Sequence, residues 1–209
     1  MRKSFVIITI LVLAAILATL WTFFSDLILK KTHPLPYNET VKKYSAVYAV
    51  PEEIIYAVIN TESEFKSDAV SKKGAIGLMQ IMPETFEWLC SKNSEEDASA
   101  ELLYNPEVNI KYGTYYLSLL YSEYGVWETV YAAYNAGRST VNAWLSDTRY
   151  NNNGKLVNIP YPETAKYTEK VSKSAAIYKK LYFSGEKSED EDEDPGINSA
   201  AYGTVVSSD

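Results

Sequence analysis

One glutamate stands where a carboxyl group can do acid–base work. It lies in Asn60-Thr61-Glu62-Ser63-Glu64-Phe65, at the end of a run in which Ile54, Ile55, Val58 and Ile59 repeat at helical spacing. A carboxylic acid against an apolar helix face is partly desolvated, which raises its pKa and keeps a proton on it near neutral pH. Such a group can protonate a leaving oxygen. Taken alone, a Glu-Ser pair is an ordinary exposed helix residue far more often than a catalyst. Glu64 cannot share the face of Glu62, because residues two apart on a helix point in different directions. Asp68 lies nearer the chain break at Ser67-Asp68.

Glu62 gains its weight from the motifs downstream. Ser71 leads into Gly74-Ala75-Ile76-Gly77-Leu78-Met79-Gln80-Ile81-Met82-Pro83. Then come Asn109-Ile110 with Gly113 and Tyr116-Leu117, Ala133-Tyr134-Asn135-Ala136-Gly137, and Glu163-Thr164 with Tyr167. Gly74 and Gly77 permit a tight turn and a close approach of backbone to a bound molecule. Gln80 offers a donor and an acceptor on one amide. Met82 offers a polarizable apolar wall. Tyr134 can donate to the Glu62 carboxylate and orient it, and Tyr167 is the second candidate for that role. Asn135 reads locally as a helix-end residue, and Asn109, Gly113 and Gly137 read as structural.

In this order and at these separations the motifs resemble the catalytic domain of the soluble lytic transglycosylase (SLT) family, a relative of goose-type lysozyme. The resemblance covers roughly residues 50–178. It implies an all-α, lysozyme-like fold and an enzyme that cuts the β-1,4 bond between N-acetylmuramic acid and N-acetylglucosamine in peptidoglycan. It implies Glu62 as the sole acid and base. Ser71, Gln80, Met82, Tyr134, Asn135 and Tyr167 become substrate-groove residues, with Gln80 at an N-acetyl group. Glycosidases ordinarily use two carboxylates. With one, the resemblance implies closure of the muramyl C6 hydroxyl into a 1,6-anhydro end, without water, cofactor or metal. A lysozyme-like hydrolase on the same fold and a non-catalytic wall-binding protein are the competing readings.

The elements that must hold these residues are helical. Asn38 is suited to cap a helix carrying Val41, Tyr44, Val47 and Tyr48. Pro51 suits the start of the next, with Glu52 and Glu53 at its positive end. Pro83 opens another, and Asn105-Pro106-Glu107 the longest, with Val108, Tyr112, Tyr115, Tyr116, Leu119 and Leu120 on one broad face. Gly125 suits a left-handed terminus. Trp127–Ala136 closes at Gly137, Ser139 caps Val141 to Leu145, and a last helix runs from Pro162 through Tyr182. No alternating strand pattern of useful length occurs. Residues 146–160 form a polar loop containing Asn151-Asn152-Asn153-Gly154.

Three segments lie around this core. Residues 1–31 hold about 20 uncharged apolar or hydroxyl positions from Phe5 to Phe24, enough to cross a hydrocarbon layer of ~30 Å. Trp21-Thr22-Phe23-Phe24 is bulky and aromatic where a cleavage site needs small residues, so a retained single-pass membrane anchor is expected, with the domain outside the cytoplasm. A cleaved signal, giving a secreted protein, is the alternative. Residues 31–37 read as a spacer, residues 32–184 as the catalytic domain, and residues 185–209 as an acidic disordered tail. The net charge of −7 divides as +3, −3 and −7 over residues 1–31, 32–184 and 185–209, so no basic stripe invites nucleic acid. One histidine, His33, and one cysteine, Cys90, argue against histidine-dependent triads, disulfides and histidine-rich metal sites. Cys90 is expected to pack as a small apolar side chain.

Overall fold

The computed structural model describes residues 2–93, 98–152 and 154–184, with side chains from Leu11 onward except Thr22. The acidic segment 185–209 lies outside the described residues. Among the described residues, eight α-helices carry the chain: α1 Arg2–Thr32, α2 Asn38–Tyr48, α3 Glu52–Glu62, α4 Pro83–Lys92, α5 Pro106–Tyr124, α6 Trp127–Ala136, α7 Arg138–Leu145 and α8 Pro162–Tyr178. A 3-10 turn, Ala100–Tyr104, precedes α5, and a π-helical turn, Lys179–Phe183, follows α8.

Helix α3 is the centre. Pro51 precedes it and Glu52 and Glu53 fill its first turn. Six consecutive residues, Ile54 to Ile59, are buried, so the helix is covered all round rather than along one stripe. Helix α8 runs along it, α6 packs on α8, and α5 packs on α6 and α2. Helix α5 opens as expected, the Asn105 side chain accepting from the amides of Glu107 and Val108, and closes at Gly125 with φ 64°. Its buried face is turned from the expected one. Asn109, Ile110, Gly113 and Leu117 join Tyr112 and Leu120 inside, while Val108, Tyr115, Tyr116 and Leu119 lie on the flanks.

Other local expectations need correction. Asn38 begins α2 but caps nothing; the preceding Tyr37 is left-handed, and Asn38 Oδ1 instead accepts from the Tyr56 hydroxyl at 3.4 Å. Val47 is exposed. Helix α7 starts directly after Gly137, so Ser139 falls inside its first turn. The last helix changes to π geometry after Tyr178. The polar loop holds a two-residue hairpin, β1 Asn151–Asn152 against β2 Lys155–Leu156, held by Asn151, which donates to the Leu145 carbonyl and accepts from the Gly154 amide. Cys90 is fully buried.

Helix α1 leaves Leu11, Leu13, Leu17, Trp21, Phe23 and Leu27 uncovered, and its Leu11–Thr32 part is long and apolar enough to cross a membrane. The segment after it is not a loose spacer. Asn60 donates to the Thr32 carbonyl (3.1 Å), Tyr182 to that of His33 (2.9 Å) and Tyr178 to that of Pro34 (3.1 Å). The His33 ring meets Tyr178 edge-on at 5.0 Å. The backbone carbonyls of this segment are satisfied by Asn60 and by two tyrosine tips from the far end of the chain, a pairing that local sequence cannot announce.

Candidate active site

Glu62 is the last residue of α3. Beyond Ser63 the chain turns sharply, because Glu64 and Phe65 both take positive φ, 51° and 65°. That turn leaves Glu64 exposed and paired with Lys66 on the surface. Ser63 is buried and its hydroxyl donates to the Leu78 carbonyl at 2.7 Å, tying the end of α3 to the loop that carries the second motif.

That loop is built from within. Isolated bridges join Val70 to Ile76 and Ile76 to Ile81. The Ser71 amide donates to the Ala75 carbonyl, and the Ser71 hydroxyl accepts from the Ala75 amide at 3.0 Å. Asn109 holds the loop from below. Its Oδ1 accepts from the Met79 amide (2.8 Å), and its Nδ2 donates to the carbonyls of Ile76 (2.9 Å) and Leu103 (2.8 Å). Gly77 has no room for a side chain: a Cβ there would lie 2.2 Å from Asn109 Nδ2 and 2.4 Å from the Leu103 carbonyl oxygen. Gly77 therefore allows Asn109 and the Leu103 carbonyl to approach it closely. Gly113 gives the same clearance to the Met79 side chain.

Two tyrosines from distant helices close on the carboxyl group. The Tyr167 hydroxyl, on α8, donates to Glu62 Oε1 at 2.7 Å. Tyr134, on α6, is the first candidate for that bond by sequence, but its hydroxyl donates to the Met79 carbonyl at 2.9 Å. It stands close enough to Glu62 for the carboxylate charge to oppose its own ionisation. Gln80 is left-handed at φ 49°, and its Nε2 donates to the carbonyls of Ala69 (3.1 Å) and Gly77 (2.8 Å). Its amide nitrogen is thus committed to the loop. Met82 immediately precedes α4, partly exposed. Asn135 lies exposed near the end of α6 and accepts from the Thr164 hydroxyl at 2.9 Å.

Burial pushes the Glu62 carboxyl up to about 7, against the Tyr167 hydrogen bond and the Lys170 charge, which both pull it down. Lys170, whose ammonium also reaches the Thr61 carbonyl at 3.4 Å, is not legible in the sequence as a site residue, although it lies one helical turn beyond Tyr167. Burial and the Glu62 charge hold both phenols far above their ordinary range, so they remain donors. Among the described residues no group of three His, Cys, Asp or Glu side chains is placed to hold a metal ion. The arrangement presents one carboxyl group that is half protonated near neutrality and oriented by a neutral phenol.

Comparison with known proteins agrees with this fold. Residues 39–157 match the family model of the Transglycosylase SLT domain. The chain is 34% identical over 165 residues to the soluble lytic murein transglycosylase of Escherichia coli K12, covering 76% of this chain and 25% of that protein. It is 32% identical over 179 residues to membrane-bound lytic murein transglycosylase C of Edwardsiella ictaluri, covering 73% and 48%. The chain thus spans about a quarter to a half of these relatives. Among solved structures, the 70 kDa soluble lytic transglycosylase of Escherichia coli superposes with a TM-score of 0.67 at 34% identity over 76% of this chain and 26% of that one. An inactive glutamate-to-glutamine mutant of the Pseudomonas aeruginosa lytic transglycosylase Slt gives 0.65 at 34% identity over 73% and 25%. With the all-α fold, the ordered motifs and the family model in agreement, the chain belongs to the transglycosylase SLT domain family.

Proposed function

We propose that this protein is a membrane-anchored lytic transglycosylase acting on the glycan strands of peptidoglycan. The single observation that carries the reading is the Glu62 carboxyl, raised by burial to about 7 and hydrogen-bonded by Tyr167. The relatives' names, and the inactivity of one of them as a glutamate-to-glutamine mutant, support it.

In this mechanism the protonated Glu62 gives its proton to the oxygen linking N-acetylmuramic acid to N-acetylglucosamine, and the C1–O bond breaks. The muramyl acetamido oxygen or the local field stabilises the developing positive charge at C1. Glu62, now a carboxylate, takes the proton from the C6 hydroxyl of the same sugar as that oxygen bonds to C1. The proton balance closes on Glu62, and no water is consumed. One residue serves both steps because a pKa near 7 makes either form accessible. Burial raises the Glu62 pKa, while a phenol and a lysine lower it.

The supporting residues take these roles. Tyr167 orients the carboxyl group. Gln80 offers its oxygen to an acetamido N–H. Ser71, Met82 and Asn135 border the groove, and Tyr134 braces the Met79 carbonyl beside it. Residues 32–184 form the catalytic domain. Residues 1–31 are retained as a single-pass anchor that keeps the domain at the outer membrane face. Mass spectrometry of fragments released from purified wall tests the chemistry: anhydromuramyl ends are expected, whereas reducing ends, heavier by one water, make the enzyme a hydrolase.

A further inference from the structure

We propose that the hollow where the end of α1 meets α3 and α8 binds the phosphate of an anionic phospholipid headgroup, a site that rests on residues 1–31 anchoring the domain to a membrane. A cavity of about 620 Å³ lies there, the size of a small-ligand site. Lys31, Thr61, Glu64, Lys170, Lys173 and Ser174 line it. Glu62 and Tyr167 do not, nor do Ser71, Gln80, Met82 and Asn135, so the hollow is separate from the candidate active site.

Its place in the fold points to the source of the ligand. One wall is the end of the candidate membrane span itself, Lys31 and Thr32. Lys31 stands seven positions past Phe24, ~10 Å along a helix at ~1.5 Å per residue, which is the depth of the headgroup layer beside the hydrocarbon. The domain walls are tied to that end. Asn60 bonds the Thr32 carbonyl at 3.1 Å, and Tyr178 bonds the Pro34 carbonyl at 3.1 Å. The hollow therefore stays beside the point where the chain leaves the bilayer.

The lining selects an anion rich in oxygen acceptors. It holds three lysines against one glutamate. Glu64 is paired outward with Lys66 at 3.5 Å, and Lys173 is paired with Glu169. Among the described residues neither Lys31 nor Lys170 has a carboxylate at ion-pair distance. The Lys170 ammonium reaches the Thr61 carbonyl only at 3.4 Å. The hydroxyls of Thr61 and Ser174 are buried and have no hydrogen-bond partner among the described residues, a costly state for a polar group. Ser174 is only 6% exposed. Ammonium groups and unused hydroxyls around one cavity are a donor set for phosphate oxygens. Phe65 and Ile177 add an apolar wall for the glycerol end of a lipid. A soluble acidic peptide offers similar charge, but the bilayer surface already presents lipid phosphate at this depth. A phosphate held there ties α3 and α8 to the membrane as well as α1, and so sets the height of Glu62 above it.

The test places the full-length chain in nanodiscs of phosphatidylcholine, alone or mixed equally with phosphatidylglycerol, and follows amide hydrogen exchange by mass spectrometry. Phosphatidylglycerol is expected to slow exchange in residues 60–65 and 170–177 by about fivefold or more, the scale of one lysine at an anionic surface. Residues 151–156, which carry the exposed Lys155, should not change. Lys31→Gln with Lys170→Gln should abolish the slowing. Ser174→Ala removes only an unpaired hydroxyl; it should weaken the slowing, and it carries the test if the lysine variant does not fold. Slowing that survives these substitutions, or that extends equally to residues 151–156, is general surface attraction and overturns the site. Inorganic phosphate added to the phosphatidylcholine discs should give no comparable effect; if it matches phosphatidylglycerol, the lipid assignment falls. Equal exchange in both discs overturns the site and leaves the anchor standing. A chain that inserts into neither disc overturns the anchor reading, and the site with it.

Discussion

Tyr167 and Glu62, 105 positions apart in the chain, are joined by a 2.7 Å hydrogen bond from phenol to carboxyl oxygen. The phenol stays neutral because burial and the Glu62 charge both oppose its ionisation. Glu62 therefore has a donor that lowers its pKa without adding a charge, while burial raises it more strongly.

Glu62→Gln should fold and lose turnover. The amide keeps the shape and still accepts from Tyr167, but it neither gives nor takes a proton. A loss of at least ~10²–10⁴-fold is expected, since one group serves both steps. Release of soluble fragments from purified wall measures it; activity within a few-fold of the parent removes Glu62 from the mechanism.

With Glu62 near 7 in the folded enzyme, kcat/KM should be flat below that pH and fall about tenfold per unit above it, as the free enzyme loses its acid. The same shift acts on stability. The unfolded carboxyl titrates near its ordinary 4.5, so Glu62 contributes no penalty below that value. As pH rises from there through about 7, the unfolded chain holds fewer protons and stability falls, by on the order of 3 kcal/mol in all. Urea unfolding of the parent and of Glu62→Gln at pH 5 and pH 8 reads this. The variant should lack the parent's decline.

The two tyrosines should separate cleanly. Tyr167→Phe removes a bond that lowers the Glu62 pKa, so the alkaline limb of the rate profile should move to higher pH while kcat falls roughly 10–100-fold. Tyr134→Phe removes a bond to the Met79 carbonyl, so the limb should stay in place and the cost should appear as about 1 kcal/mol of stability. Profiles that shift alike would assign orientation to both.

Gly77→Ala should destabilise by more than about 2 kcal/mol, since the added carbon strikes Asn109 and the Leu103 carbonyl and the backbone is at φ 79°. Gly74→Ala meets only open space at φ 90° and should cost about 1 kcal/mol of backbone strain. Thermal unfolding of both variants ranks them. A reversed order would mean that the Asn109 brace yields.

A chain beginning at Lys31 should be more stable than one beginning at Tyr37, because the shorter form leaves Asn60, Tyr178 and Tyr182 without the carbonyls of Thr32, Pro34 and His33. The expected difference is about 2–4 kcal/mol from three bonds. Equal denaturation midpoints would show that the segment docks without consequence.

The division between sequence and tertiary structure tracks the range of the forces involved. Helix starts at Pro51, Pro83 and Asn105-Pro106, and the stop at Gly125, are legible because they depend on φ constraints and side-chain caps within a few residues. Membership of the family is legible from the ordered motifs, and Glu62 stands out among 27 acidic residues through its spacing to the downstream motifs. The partner of Glu62 is not legible, because Tyr134 and Tyr167 present the same chemistry and only the packing of α6 and α8 on α3 decides which hydroxyl reaches it. The same holds for Gly77, whose contact is Asn109 from another helix, and for the face of α5, which rotates so that Asn109 and Gly113 meet the Met79 loop. Propensity and capping act over one or two turns. A pKa near 7 and a docked carbonyl depend on what distant segments bring within a few ångströms.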